Sequence, residues 1–209
     1  MLKSIVNRLS NKIVNRGKNN QVIIDKTVLI KKCKIKIWGN NNTIIINPKA
    51  YLHRVYIRIG FEDCPINNCR ITIGQNTSIN SADIQMGESN SQIIIGDDCM
   101  FSFDIEIACS DTHAIINNNC ELINIGRKIE IGNHVWVCKE VKILKNTKIP
   151  NNTIIAQNSI ITKEFDIENT IIAGIPAKIV KAGINWLRER PEKIVGGQNA
   201  KSICVNTNI

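Results

Sequence analysis

One histidine stands where it can do chemistry. His113 closes the tetrapeptide Ser110-Asp111-Thr112-His113, and the chain of 209 residues has three histidines in all. A neutral imidazole at the solvent edge accepts a proton from a hydroxyl near neutral pH and later returns it to a leaving group. Asp111 lies two residues before it, a spacing that puts both side chains on one side of an extended segment. Three roles stay open for Asp111: orienting the imidazole tautomer, touching an acceptor, or forming a turn. Trp136, in IGNHVWVC, is the second candidate, because an outward tryptophan calls for something to cover it. A ligand and a packed subunit both satisfy that need. His134, two residues earlier, reads as a surface residue. Cys109 is the thiol nearest His113 and the challenger as a nucleophile. A cysteine thioester would give ping-pong kinetics, whereas direct attack would not.

These residues sit in a repeat of six. From Ile125 the steps are Ile131, Val137, Ile143, Ile149, Ile155 and Ile161, an unbroken aliphatic row. Four residues after each lie Ile129, Val135, Val141, Thr147, Thr153, Ser159 and Phe165. The residue after each aliphatic is mostly small, as at Gly126, Gly132 and Ala156. The pattern recurs at Ile73 and Ile79 and at Ile95, Phe101 and Ile107, the last in phase with His113; weaker members are Ile24, Ile30, Ile46 and Leu52. Six fits neither an α-helix nor a coiled coil. It predicts a solenoid of short flat strands whose aliphatics point inward. Three strands close a coil of eighteen residues, so Ile125 is expected on Ile143 and Ile143 on Ile161. Coils stack at about 4.8 Å, the interstrand spacing.

The period fails at three places, where loops are expected to leave the prism: 58–70, between about Ile84 and Ile95, and between His113 and Ile125. Loops on a rigid scaffold often carry function. Ile5, Leu9 and Ile13 are at helical spacing, which predicts an amphipathic capping helix over 1–18, with a membrane-surface helix as the alternative. The solenoid is expected over 19–182. Residues 183–209 are expected to hold a short helix in INWLRERPE and a mobile tail.

Composition sets wider bounds. The abundance of Ile, Val and Asn with 4% aromatics leans all-β. A net charge of +9 suggests an anionic partner, and the Lys and Arg residues read as scattered. Nucleic acid is not expected, for want of RNP-type aromatics or finger spacing. No run reaches a membrane span. The eight cysteines include no C-x-x-C pair and none at zinc-like spacing from a histidine, so no metal site is expected. The first residues lack the continuous apolar run of a signal peptide, and free thiols in a reducing cytoplasm are expected.

The order CSDTHAI, HVWVC, AQNSIITK, AGIPAKIVK closely resembles the hexapeptide-repeat acyltransferases, in the branch that O-acetylates capsule and lipopolysaccharide sugars. The resemblance covers roughly residues 70–186. It implies a left-handed parallel β-helix and transfer from acetyl-CoA, by direct attack in a ternary complex, to a sugar hydroxyl of a bacterial surface glycan. It further implies His113 as base, Asp111 beside it and Trp136 lining the acetyl and acceptor pocket. Ala156 and neighbouring backbone would pass the pantetheine arm, Thr162 would belong to the same cofactor site, and Lys163, Lys178 and Lys181 would meet the phosphates of coenzyme A. Sites between subunits imply a homotrimer, in the cytoplasm or at the inner face of the membrane with peripheral contact through the N-terminus. Asp104 and Cys138 depart from the Asn and Gly common in that branch. N-acetylation of an amino sugar or sugar nucleotide is the alternative within the family. A β-solenoid binding protein is the alternative outside it. A γ-class carbonic anhydrase needs a histidine pair five residues apart, which His53, His113 and His134 do not provide.

Overall fold

A computed structural model describes residues 10–195. The chain winds as a three-sided prism, coil upon coil. The first coil is β1 (Lys12–Arg16), β2 (Gln21–Ile24) and β3 (Leu29–Lys31). The second is β4 (Lys34–Trp38), β5 (Thr43–Ile46) and β6 (Tyr51–His53), and the third β7 (Val55–Ile59), β8 (Arg70–Ile73) and β9 (Ser78–Ile79). Then come β10 (Ala82–Met86), β11 (Gln92–Ile95) and β12 (Met100–Phe101), followed by β13 (Ile105–Cys109), β14 (Lys128–Ile131) and β15 (Trp136–Val137). The last coils hold β16 (Lys142–Leu144), β17 (Thr147–Ile149), β18 (Ile154–Ile155), β19 (Ile160–Ile161) and β20 (Thr170–Gly174). Strands of successive coils pair in parallel, giving sheet A (β1 to β19), sheet B (β2 to β17) and sheet C (β3 to β20). The strand β21 (Ala177–Ala182) folds back antiparallel on β20, and a short helix, α1 (Pro191–Val195), follows.

The inward rows form the core. Ile131, Val137, Ile143, Ile149, Ile155 and Ile161 are buried, and so are all seven members of the second row, from Ile129 to Phe165. Thr77, Thr147, Thr153 and Ser159 are buried polar residues near the corners, and each hydroxyl of Thr77, Thr147 and Thr153 donates to a main-chain carbonyl. At the corner between sheets B and C, Gly74, Gly96 and Gly132 stack. A Cβ on Gly96 would sit 2.5 Å from the Gly132 carbonyl oxygen, so the coils pass too close there for a side chain.

Two expectations change. The eighteen-residue coil holds only from β14 to β19, as in Trp136 facing Ile154 and Ile143 facing Ile161, and β20 then meets β18 at seventeen. Earlier coils are longer: Lys12 faces Lys34 and Lys34 faces Tyr56, a repeat of 22 residues. Ile143 therefore stacks on Ile107, and Ile125 is only half-buried. The second change concerns the N-terminus. Within the helix predicted over 1–18, Lys12–Arg16 is a strand, because its edge pairs with β4; residues 1–9 lie outside the described residues. At the other end the helix starts at Pro191 and not within INWLRE, since Trp186 and Arg188 are pinned to the prism. The tail beyond 195 lies outside the described residues.

The extra residues of the long coils all leave at one edge. Between sheets A and B lie 17–20, 39–42, 60–69, 87–91 and 110–127. The three predicted breaks thus converge on the edge that carries His113. Asparagines build this edge. The Lys18 amide donates to Asn40 Oδ1 at 2.7 Å and the Asn40 amide to Asn67 Oδ1 at 2.7 Å, while the amides of Asn42 and Cys69 donate to Asn20 and Asn42. Asn19, Asn41, Asn68 and Asn90 take the left-handed backbone that the turns require, which asparagine tolerates better than most residues.

Candidate active site

β13 delivers the chain to the A/B edge at Cys109, and Ser110–His113 turns away from the prism. Ser110 Oγ donates to Glu88 Oε1 at 2.9 Å and accepts the Thr112 amide at 2.8 Å. Thr112 has a positive φ of 64°, unusual for a β-branched residue, so these bonds hold a strained turn. The His113 amide donates to the Asp111 carbonyl at 2.8 Å. Asn124 Nδ2 donates to both Asp111 Oδ2 (2.9 Å) and the His113 carbonyl (2.8 Å), and Lys145 Nζ is ion-paired with Asp111. The Lys145 and Asn124 bonds hold the Asp111 carboxyl below its usual range. Burial pushes the Glu88 carboxyl up against the opposing pull of Ser110 and Lys145.

The His113 imidazole is exposed and has no hydrogen-bond partner among the described residues, which leaves both ring nitrogens open to a reacting group. The Asp111 carboxylate makes no hydrogen bond to the imidazole; Lys145 and Asn124 both engage its Oδ2. Cys109, by contrast, is fully buried, and burial pushes its thiol up to about 12, so it supplies little thiolate at neutral pH.

After His113 the chain makes a small finger, with Ile116 bridged to Leu122 and the Ile123 amide bonded to the Ile115 carbonyl. Ile115, Ile116, Leu122 and Ile123 are all about half exposed, at 51%, 58%, 49% and 60%.

The remaining candidates divide between two regions. Thr162 and Lys163 follow β19 and stand exposed on the same A/B edge as His113, two strands along sheet A, or about 10 Å by strand spacing. Lys163 Nζ lies 5.4 Å from the Phe165 ring centroid. Trp136 projects from the outer face of sheet C, the side of the prism opposite that edge. Ala156 follows β18, its amide bonded to the Ile172 carbonyl at 2.9 Å, and Lys178 and Lys181 are exposed on β21. One prism therefore carries His113 and Trp136 on opposite sides and does not bring them together.

Trp136 flanks a pocket of about 410 Å³ whose other apolar walls include Ile154, Trp186, Leu187, Pro191 and Ile194. The segment after β21 makes that wall, and His134 holds it. His134 was expected at the surface; its side chain is 12% exposed and stacks on Trp186 with centroids 4.1 Å apart. Its Nδ1 meets Asp98 Oδ2 at 2.7 Å and its Nε2 meets the Trp186 carbonyl at 3.0 Å. The carboxylate and the carbonyl are both acceptors, so the arrangement favours the doubly protonated ring. The Asp98 bond accordingly raises the His134 pKa. Arg188 joins the clasp through Asp98 Oδ1 at 3.0 Å and Ser78 Oγ at 3.0 Å. A histidine whose pKa is raised on folding stabilises below its ordinary value of 6.5, and that contribution is lost as pH rises through the higher folded value. We expect Trp186 to loosen on the alkaline side, seen as a change in tryptophan fluorescence that His134→Ala abolishes. A flat profile in the wild type would contradict the clasp.

Sequence reasoning missed Glu88, Asn124, Lys145, Asp98 and Arg188. Ser110 was visible in the tetrapeptide. Lys145 follows Leu144, which pairs with Ala108 one coil earlier, and only the 36-residue register of that coil brings it to Asp111.

No family model matches the chain. Among curated proteins it is 33% identical over 131 residues to a polysialic acid O-acetyltransferase of Neisseria meningitidis, a span of 54% of this chain and 60% of that protein. Two solved structures are similar over nearly their whole length. The polysialic acid O-acetyltransferase OatWY has 30% identity and a TM-score of 0.70, covering 91% of this chain and 98% of its own. The polySia-specific acetyltransferase NeuO has 25% identity and a TM-score of 0.69, covering 95% and 99%. The chain belongs to the hexapeptide-repeat acyltransferases, the left-handed parallel β-helix family that includes these O-acetyltransferases.

Proposed function

We propose that the chain transfers acetyl from acetyl-CoA to a hydroxyl of an anionic capsule polysaccharide, with His113 as the base. The observation that carries this reading is the free imidazole of His113 on a turn fixed by Glu88, Asn124 and Lys145, in a chain similar end to end to two such enzymes. His113 takes the proton of the acceptor hydroxyl as its oxygen attacks the thioester carbonyl. The tetrahedral intermediate collapses, the C–S bond breaks, and the imidazolium protonates the departing thiolate of coenzyme A. The products are an acetyl ester and free coenzyme A. The buried, neutral thiol of Cys109 favours direct attack over an acyl-enzyme.

The reading includes a homotrimer with each site between two copies. It is supported by the placing of His113 and Trp136 on opposite sides of one prism, and by the exposed apolar finger 115–123 beside His113. In that arrangement Trp136 of one copy closes the acetyl pocket over His113 of the next. Ala156 and Thr162 would lie along the pantetheine arm, with Lys163, Lys178 and Lys181 near the phosphates.

The test is thiol release from acetyl-CoA with a panel of anionic and neutral capsule glycans. Release that depends on an anionic glycan, with intersecting rather than parallel double-reciprocal lines, supports direct transfer. Release without any acceptor dependence contradicts it. Lys145→Met should lower kcat about 10- to 100-fold by releasing Asp111 and the turn, since small misplacements of a reacting group are costly. Lys145→Arg should recover part of the loss. An unchanged kcat in Lys145→Met would remove the positioning role.

A further inference from the structure

The basic residues are not scattered. Residues 1–58 contain thirteen Lys and Arg and one acid, Asp25, a net charge of +12. The whole chain carries +9, so residues 59–209 together carry −3. Residues 10–58, in the first coils of the prism, hold eleven of these basic residues and Asp25, a net charge of +10. Every ion pair among the described residues is formed from Asp98 onward; the carboxylates that bear on these coils are Asp25, beside Lys26, and Asp83 on β10, which feels the charge of Arg58.

On sheet A this charge is ordered. Lys12, Lys34 and Tyr56 form one outward column, and Lys36, Arg58 and Gln85 form another. Aromatic rings support the cations without cancelling them. Lys34 Nζ lies 5.4 Å from the Tyr56 centroid, Lys36 Nζ 4.9 Å from Trp38, and the Arg58 guanidinium 4.3 Å from Phe61. Arg58 also bonds Gln85, yet its Nε is buried without a partner among the described residues. The second column continues through Ala108 on β13. It reaches, free of acidic residues, the strand that ends in the Ser110–His113 turn. The acids of sheet A lie in the other column, where Asp83 is bonded to Gln85 and Glu106 is paired with Lys142.

We infer that the outer face of sheet A over β4 and β7 is a binding strip for the acceptor, an anionic polysaccharide whose chain runs along the prism axis into the His113 turn. The inference rests on the proposed acetyl transfer and names where the polymer lies. Three strand spacings, about 14 Å, separate β4 from β13, so the strip engages sugar units well away from the one that reacts. Carboxylates on those units meet Lys34, Lys36 and Arg58, and apolar sugar faces meet the rings. A polysaccharide is favoured over nucleic acid or a membrane because the strip is continuous with the turn that carries the base.

The strip makes long acceptors better than short ones. The test compares kcat/KM on polysialic acid of high and low degree of polymerisation, for wild type and for the double variant Lys34→Glu/Lys36→Glu. The ratio of long to short should fall about five- to tenfold, from two half-exposed charge contacts, and the salt dependence of KM for the long polymer should shrink. Lys139→Gln, outside the strip, should keep the wild-type ratio. An unaltered ratio in the double variant would overturn the strip. So would a double variant that loses retention on single-stranded DNA or anionic vesicles while keeping it on polysialic acid. Should neither length be acetylated, the acetyl-transfer reading fails by itself. Retention of wild type but not of the double variant on immobilised polysialic acid would then still establish the strip, and equal retention would overturn it.

Discussion

His113→Ala is expected to lower kcat by about 10²–10⁴-fold, the usual contribution of a positioned general base. The prediction has a specific structural content. The His113 side chain makes no hydrogen bond among the described residues, so its removal should leave the turn intact. Ser110 still bonds Glu88, Asn124 still bonds the carbonyl of residue 113, and Lys145 still pairs with Asp111. Thermal stability should therefore stay near that of the wild type while turnover collapses. Acetyl-CoA affinity, measured by calorimetry, should survive too. A loss of activity that tracked a loss of stability would make His113 structural instead.

Phe101→Ala is expected to lower the free energy of unfolding by about 3–5 kcal/mol, measured by denaturant titration. Phe101 is fully buried and stacks between Ile79 and Val137, one coil to each side. In a solenoid each coil touches only its neighbours, so a cavity is felt first by the adjoining coils. Here they include the strand that ends in the catalytic turn. A drop below about 1 kcal/mol would mean that the inward row is not close-packed at this coil.

Much of this architecture was legible. Spacing alone placed Ile131 to Ile161 inside, because a six-residue period leaves an aliphatic one direction in which to be buried. Breaks in the period located the loops, and the phase of Ile95, Phe101 and Ile107 carried the reading to His113. What escaped was whatever depends on coil length. Each coil from the first to the fifth carries extra residues at the A/B edge, and eighteen-residue arithmetic then points Ile143 at the wrong partner. The same slip hid Lys145 from Asp111. His134 was misread for a different reason. It occupies a left-handed corner position taken in other coils by Asn76, Asp98 and Asn152, where a polar side chain normally faces water. Only the return of Trp186, 52 residues later, covers it. The clustering of positive charge was available in the sequence, but its meaning depended on seeing Lys36 and Arg58 in register on one face.

The central claim is that acetyl passes from coenzyme A to a hydroxyl of an anionic polysaccharide. Its most direct test is incubation with acetyl-labelled acetyl-CoA and polysialic acid, followed by separation of polymer, protein and nucleotide. The account predicts label in the polymer, released by mild alkali as an ester is, and none bound to the protein. Label that stays on coenzyme A, resides on the protein, or enters the glycan in alkali-stable form would contradict it.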